Sequence, residues 1–181
     1  MVEHFRIPRE RIGAAIGPGG RVKQEIERRT GTKLTVDSET GEVVIERAED
    51  PLGVLKARDV LRAIARGFSP ERAFKLFDED KYLEIIDITD FVGRSEKALV
   101  RQKGRVIGEA GKTRRIIEES TGVSMSVYGK TVALIGTPEQ LAVAREAVHM
   151  LLDGAPHGAV YAFLERKRRE AKRRAREIWR K

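Results

Sequence analysis

Apolar residues recur along the chain with two periods, which predict short strands and amphipathic helices in alternation. The segments 33–36 and 43–45 have the composition of short strands, and 82–88 that of a longer, more apolar strand. Val22 and Ile26 lie four residues apart and therefore share one face of a helix. The order strand, helix, helix, strand, strand, helix is predicted twice, which indicates an α+β fold with two similar parts.

Turn and cap signals set the ends of the elements in the first part. Ser38–Gly41 has the composition of a hairpin turn. Asp50 followed by Pro51 pairs an N-cap residue with proline at the first helical position. In the helix that follows, the residues expected on the core side are Leu52, Leu55, Val60, Leu61 and Ile64.

The second part repeats this order with clear signals at its last helix. Thr137 and Gln140 form a capping box, and the core side of the helix is expected to carry Leu141, Ala144, Val148 and Leu151. Between the two parts, the linker 67–81 carries one short helix. Its Phe74 and Phe77 are expected to pack between domains rather than to stack on bases.

One glycine-containing string occurs twice at a fixed offset. Gly17 and Gly20 reappear as Gly108 and Gly111, each 91 residues later, and a helix ending at Thr-Gly follows both pairs. Such a repeat indicates two copies of one supersecondary unit. Glycine allows another chain to approach the turn closely, and the helix after it directs free N–H groups and its positive dipole end at that point.

Positive charge is concentrated at the C-terminus. The 181-residue chain has a net charge of +8, and residues 157–181 hold 10 of its 36 lysines and arginines against 3 of its 28 acidic residues. A polycationic segment of this kind favours nucleic acid as the partner. The chain has no cysteine, which excludes disulfides and thiolate metal sites. No apolar run approaches about 18 residues, so no membrane span is expected.

The repeated Ile-Gly-x-x-Gly turn, with its basic helix and following strand, resembles the KH domain, which binds single-stranded RNA or DNA. The resemblance implies two type I KH domains of order βααββα, each a three-stranded sheet on three helices, at 1–66 and 82–153. A helical linker at 67–81 and a basic C-terminal helix at 154–181 complete the chain. Each loop would clamp about four nucleotides of backbone.

The resemblance also implies which residues contact RNA. Those of the first loop are Ile16, Gly17, Pro18, Gly19, Gly20, Arg21 and Lys23, and those of the second are Ile107, Gly108, Glu109, Ala110, Gly111, Lys112, Arg114 and Arg115. The aliphatic residues expected to line or support the base grooves are Ile12, Ile16, Ile26, Val106, Ile107 and Ile117.

The C-terminal segment from Ala159 contains no helix breaker, and apolar residues lie along one face of the predicted helix. Three interpretations remain open: a solvated terminal helix, a basic arm on an RNA backbone, or a helix that folds on a protein partner. As an RNA arm, the segment would use Arg166, Lys167, Arg169, Lys172 and Arg173.

Two KH units followed by Gly154–Tyr161 and a basic helix resemble the small-subunit ribosome-assembly factors called partner of the Nob endonuclease, or Dim-two, with the related KRR-type proteins. The chain length is similar to that of archaeal members. The resemblance implies a cytoplasmic, monomeric RNA-binding protein without catalysis, cofactor or membrane contact. The expected RNA is the 3′ region of small-subunit rRNA. The expected protein partners are the rRNA-processing endonuclease, the adenosine dimethylase or the translation initiation machinery.

Two features of the sequence depart from the family pattern and keep alternatives open. Gly17 and Gly20 are both present, whereas eukaryotic members have a degraded first loop, so either loop or both could hold RNA. Glu109 places a carboxylate where KH loops usually carry a basic or small residue. A protein-interaction scaffold built on the KH fold, or a KH subunit of an RNA-decay complex, is the alternative function.

Patterns of catalytic chemistry are missing from the sequence. Gly111-Lys112-Thr113 ends like a phosphate-binding P-loop, but position 106, where that motif needs glycine, is valine. The three histidines are scattered without metal-ligand spacing. We therefore expect a binding protein and not an enzyme.

Overall fold

The structure, a computed structural model, describes residues 2–46 and 49–180, which divide into two compact units. The first unit is Met1–Leu83 and the second is Glu84–Lys181. Each unit contains a three-stranded sheet with helices packed on it. The predicted α+β class and the repeated element order are thereby confirmed.

In the sheet of the first unit, the strand that comes last along the chain lies in the middle, so that the order of the strands is β1-β3-β2. Strand β3 pairs antiparallel with both β1 and β2, so that Val43 lies opposite Phe5 and Ile45 lies opposite Leu34. The elements of this unit are β1 (Val2–Arg6), α1 (Arg9–Ile16), α2 (Arg21–Thr30), β2 (Lys33–Val36), β3 (Glu42–Glu46), α3 (Pro51–Ala65) and α4 (Pro70–Ala73).

The prediction that Leu52 belongs to the core is wrong, because this side chain is 65% exposed. The neighbouring residue Gly53 makes the close contact between α3 and the end of α2: a Cβ built there would lie 2.1 Å from the carbonyl oxygen of Thr30. Helix α3 therefore turns Gly53 and Val54 inward, and Leu52 in the first turn points outward. Leu55 is half-buried, and Val60, Leu61 and Ile64 are buried as predicted.

The linker segment packs on α3 of the first unit, and the expected packing of Phe74 and Phe77 between domains stays a prediction. Phe68 and Leu76 are fully buried, and Lys56 Nζ donates to the Leu76 carbonyl at 2.6 Å. Phe74 and Phe77 are half-buried, with their ring centroids 5.2 Å apart.

The second unit repeats the arrangement with two additions. Its elements are β4 (Tyr82–Asp87), α5 (Thr89–Val92), α6 (Glu96–Ile107), α7 (Lys112–Thr121), β5 (Ser124–Tyr128), β6 (Thr131–Gly136), α8 (Pro138–Leu152) and α9 (His157–Trp179). The turn α5 was not predicted; Asp87 starts it by accepting from the backbone N–H and hydroxyl of Thr89. The capping box of Thr137 and Gln140 is confirmed.

Candidate nucleic-acid interface

The two Gly-x-x-Gly loops have the same backbone geometry. Gly17 ends α1 with φ 74°, and Gly108 ends α6 with φ 78°. One turn of 3₁₀ helix follows in each, closed by a hydrogen bond of 3.1 Å from the N–H of the second glycine to the carbonyl of the first. Gly20 and Gly111 are left-handed, with φ 77° and 74°, and the next helix starts directly after them.

The two glycines of each loop are needed for different reasons. A Cβ on Gly17 would lie 2.4 Å from Val22 Cγ2, and one on Gly108 would lie 2.3 Å from Thr113 Oγ1. These first glycines therefore allow the loop to pack on its own helix. A Cβ on Gly111 would meet no atom within 4 Å, and one on Gly20 only Gln24 Nε2 at 3.9 Å. The second glycines are thus the ones that leave space for a ligand.

The middle residues differ between the loops. Gly19 has φ 61°, and Ala110 at the matching position has φ 52°, the one positive φ of a non-glycine residue among the described residues. An L-residue in the left-handed region costs about 1–2 kcal/mol. The second loop therefore keeps its shape against a local backbone preference, which requires support from its surroundings.

The helices that follow the loops present their first N–H groups without a side-chain cap. No side chain accepts a hydrogen bond at the start of α2 or α7. Arg21, Lys112 and Arg115 are exposed beside these helix starts. The N–H groups of Arg21 and Lys112 donate to the carbonyls of Pro18 and Glu109 within the loops. The positive end of each helix dipole and the exposed cations together attract phosphate oxygens.

Two of the predicted basic residues are less available than their neighbours. Lys23 is half-buried. Arg114 lies with its Nε 3.6 Å from Glu118 Oε1, one turn along the same helix. Arg21, Lys112 and Arg115 are therefore the better placed cations.

The aliphatic residues around the loops separate into two groups. Ile16 and Ile107, directly before the first glycines, are half-buried and reach the surface. The other four are buried and support the loop from the core: Ile12, Ile26, Val106 and Ile117.

A repeated hydrogen bond joins each loop helix to the neighbouring strand. Glu27 Oε2 accepts from the N–H of Leu34 at 3.0 Å, and Glu118 Oε2 accepts from the N–H of Met125 at 3.2 Å. Both pairs keep the offset of 91 residues. This bond is not among the sequence predictions, although the common offset of the two glutamates indicates it.

Arginines of α1 and α6, the helices before the loops, bind the C-terminal ends of α3 and α8, and the sequence alone did not indicate these contacts. Arg11 donates to the carbonyls of Ile64 and Phe68 at 2.8 and 2.6 Å. In the second unit, Arg105 donates to Leu151 at 3.3 Å and also to Ala155. Each guanidinium therefore joins the helix before the loop to the end of a second helix and to the segment that follows it.

The first turns of α9 are part of the second unit. Val160, Phe163 and Leu164 are buried in its core. His157 Nε2 lies 2.9 Å from the carbonyl oxygen of Arg105, and the hydroxyl of Tyr161 lies 2.8 Å from Thr113 Oγ1. The start of α9 therefore contacts the chain on both sides of the second loop.

The remainder of α9 is exposed and mainly basic. Lys167 lies 3.6 Å from Glu170, and Arg169 lies 4.0 Å from Glu165, which are weak ion pairs at an exposed surface. Arg166, Lys172 and Arg173 are exposed, as are Ile178 and Trp179 near the end of the helix.

Residues 2–46 and 49–180 offer neither a metal site nor a membrane-spanning helix. No group of three or more His, Cys, Asp or Glu side chains is arranged to hold a metal ion. None of the helices there is both long and apolar enough to cross a membrane.

The two units are KH domains. Residues 82–169 match the family described as eukaryotic type KH domain (KH-domain type I), and residues 2–63 match the family described as KH domain. A KH domain-containing protein of Methanocaldococcus jannaschii is 49% identical over 99% of this chain and 80% of its own length. The chain therefore belongs to the family of two-KH-domain proteins that includes archaeal Dim2 and eukaryotic PNO1.

Other members connect this family with rRNA. The pre-rRNA-processing protein pno1 of Schizosaccharomyces pombe is 31% identical over 70% of this chain, which spans about half (53%) of that protein. Dim2p from Pyrococcus horikoshii is 56% identical, with a TM-score of 0.86 over 92% of this chain and 99% of that chain. A chain of the a/eIF2alpha–aDim2p–rRNA complex from the same organism is 54% identical, with a TM-score of 0.88 over 94% and 95% of the two chains.

Proposed function

We propose that this protein is an RNA-binding factor of pre-rRNA processing that holds single-stranded small-subunit rRNA near its 3′ end without catalysing a reaction. The observation that carries the proposal is the pair of Gly-x-x-Gly loops, each open at its second glycine and each followed by an uncapped helix start. The relatives named for pre-rRNA processing and the related chain solved with rRNA support it.

The loops are suited to hold a sugar-phosphate backbone. Because no protein atom lies within 4 Å of a Cβ built at Gly111, a phosphate can approach the backbone there closely. The positive dipole end of α7 would attract the phosphate oxygens, while Lys112 and Arg115 add positive charge. Bases would then lie against Ile107 and its neighbours, away from the charged helix start.

The exposed part of α9 would add affinity without sequence preference. Lysines and arginines that neutralise phosphates release counterions, so this contribution falls as salt is raised. We assign to it the residues Arg166, Lys167, Arg169, Lys172 and Arg173.

A translation initiation factor is the protein partner that the comparisons favour. The related Pyrococcus horikoshii chain was solved in a complex that contains a/eIF2alpha as well as rRNA. We infer that this chain binds the same class of partner, and an a/eIF2alpha that does not change its elution volume when mixed with this protein and RNA would contradict the inference.

The RNA-binding role can be tested at the tips of the loops. Gly19→Asp and Ala110→Asp place a carboxylate where the backbone has positive φ and the added side chain reaches solvent. The matched controls are Gly19→Asn and Ala110→Asn, because asparagine has the same shape without the charge and also tolerates this φ. A carboxylate about 4 Å from a phosphate costs about 1 kcal/mol in water and about 4 kcal/mol at the protein surface.

Binding is measured by fluorescence anisotropy with a single-stranded oligoribonucleotide that carries the 3′-terminal sequence of small-subunit rRNA, across a salt series. If the loops hold RNA, the aspartate variant of the occupied loop binds at least about five-fold more weakly than its asparagine control. A chain ending at Lys167 should show a shallower salt dependence. If both aspartate variants bind like their controls, the loops do not hold RNA, and the KH fold serves as a protein scaffold.

A further inference from the structure

The residue that supports the loop is of a different type in the two units. Val22 and Thr113 occupy the same position of the repeat, 91 residues apart. In the first unit Val22 Cγ2 lies against Gly17, and in the second unit Thr113 Oγ1 lies against Gly108. A methyl group therefore supports the first loop, and a hydroxyl group supports the second.

The hydroxyl group of Thr113 needs a hydrogen-bond partner, and α9 supplies one. Thr113 is only 1% exposed, so water reaches it poorly. Its Oγ1 lies 2.8 Å from the hydroxyl of Tyr161, which stands one turn into α9. A buried polar group that loses its partner is destabilised and rotates to find another. The position of Oγ1 against Gly108 thus depends on Tyr161.

The same tyrosine also borders the cation that follows the loop. Lys112 Nζ lies 5.9 Å from the centre of the Tyr161 ring, a cation–π distance. On the other side of the loop, His157 contacts the carbonyl of Arg105, three residues before Gly108. The first turn of α9 therefore fixes both ends of the second loop.

We propose that Tyr161 is a positioning residue of the second Gly-x-x-Gly loop: through Thr113 it holds the loop in the shape that accepts RNA, so that RNA affinity depends on the docked start of α9. This inference rests on the proposed function, because it requires that the second loop binds RNA. It extends that function because the start of α9 would hold the second loop in place, in addition to the charge that the rest of the helix supplies. The first loop, supported by Val22, does not depend on the hydrogen bond between Thr113 and Tyr161.

The test uses the full-length chain and the same single-stranded rRNA oligonucleotide. Tyr161→Phe removes only the hydroxyl, and the loss of one hydrogen bond of about 1 kcal/mol corresponds to about three- to ten-fold weaker RNA binding. Tyr82→Phe is the matched control, because it removes the same hydroxyl from a ring that is 53% exposed. Because no charge is lost, the slope of affinity against salt should stay unchanged in Tyr161→Phe.

A second substitution distinguishes positioning from a general loss of stability. Thr113→Val places at this position the valine that the first unit has there, and valine has no hydroxyl that needs a partner. The double variant Thr113→Val with Tyr161→Phe should therefore regain most of the RNA affinity lost in Tyr161→Phe. In an Ala110→Asp background, where RNA binding by the second loop is already weakened, Tyr161→Phe should have a smaller effect than in the wild type. The proposal is overturned if Tyr161→Phe binds like the wild type, or if the valine does not restore binding.

The design separates this inference from the proposed function. If Ala110→Asp loses affinity relative to Ala110→Asn but Tyr161→Phe does not, the second loop binds RNA and only the role of Tyr161 is refuted. If Ala110→Asp and Ala110→Asn bind equally, the second loop is not the RNA site and the inference fails with that part of the proposed function.

Discussion

Replacing Gly108 by alanine should destabilise the protein far more than replacing Gly111, although both glycines have φ values near 75°. A Cβ on Gly108 would lie 2.3 Å from Thr113 Oγ1 and 2.7 Å from the backbone nitrogen of Thr113. Because that nitrogen belongs to the first turn of α7, no side-chain rotation can relieve the overlap. A Cβ on Gly111 would meet no atom within 4 Å.

The expected losses in unfolding free energy follow from these distances. The left-handed backbone costs an L-residue about 1–2 kcal/mol at either position. Overpacking adds about 1–3 kcal/mol at Gly108 alone. We therefore expect a loss of about 1–2 kcal/mol for Gly111→Ala and about 2–5 kcal/mol for Gly108→Ala.

The measurement is thermal and urea unfolding of the full chain followed by far-ultraviolet circular dichroism, since the single tryptophan, Trp179, lies exposed near the chain end. In a domain of about 100 residues, 1 kcal/mol shifts the Tm by about 4–8 °C. Gly111→Ala should weaken RNA binding at small cost in stability, whereas Gly108→Ala should lose stability first. Equal losses in stability would refute the division of roles between the two glycines.

Two further predictions concern stability and pH. Arg105→Gln should lower the unfolding free energy by about 1–3 kcal/mol, because the charged donor to the carbonyls of Leu151 and Ala155 is lost; the exposed Arg101→Gln is the control, and similar losses would contradict the role. The pKa of Asp37 should lie below that of an ordinary aspartate, because its carboxylate accepts from the N–H groups of Thr40 and Glu39. Its contribution to stability is then present above about pH 4 and lost as the pH falls through the lowered pKa; an NMR titration midpoint at or above the ordinary value would contradict this.

The elements whose signals are local could be predicted from the sequence. Asp50 caps α3 by accepting from the N–H of Leu52, and Thr137 caps α8 together with Gln140, as the residue types at these spacings indicate. The paired loops could be predicted because glycine, helix start and Thr-Gly end recur at one offset. In these cases the interacting residues are near neighbours in the chain, so the spacing of the residue types is enough to predict the contact.

Contacts between distant residues could not be predicted in the same way. Leu52 has the spacing of a core residue, but the close approach of Gly53 to Thr30 turns it outward. The bond between Thr113 and Tyr161 joins residues 48 apart, and nothing local to either side chain indicates the other. Only the packing of α9 on the second unit brings them together.

The two units show that a repeated sequence motif does not imply a repeated means of support. In the first loop, glycine stands at every position that needs positive φ, and Val22 supports it without a polar partner. In the second loop, Ala110 takes a positive φ against its preference, and the supporting Thr113 needs a hydrogen bond. The second loop therefore needs contacts from another element to keep both the positive φ of Ala110 and the position of Thr113. Helix α9 supplies such a contact through Tyr161. Loss of the α9 start should therefore impair the second loop and leave the first unchanged.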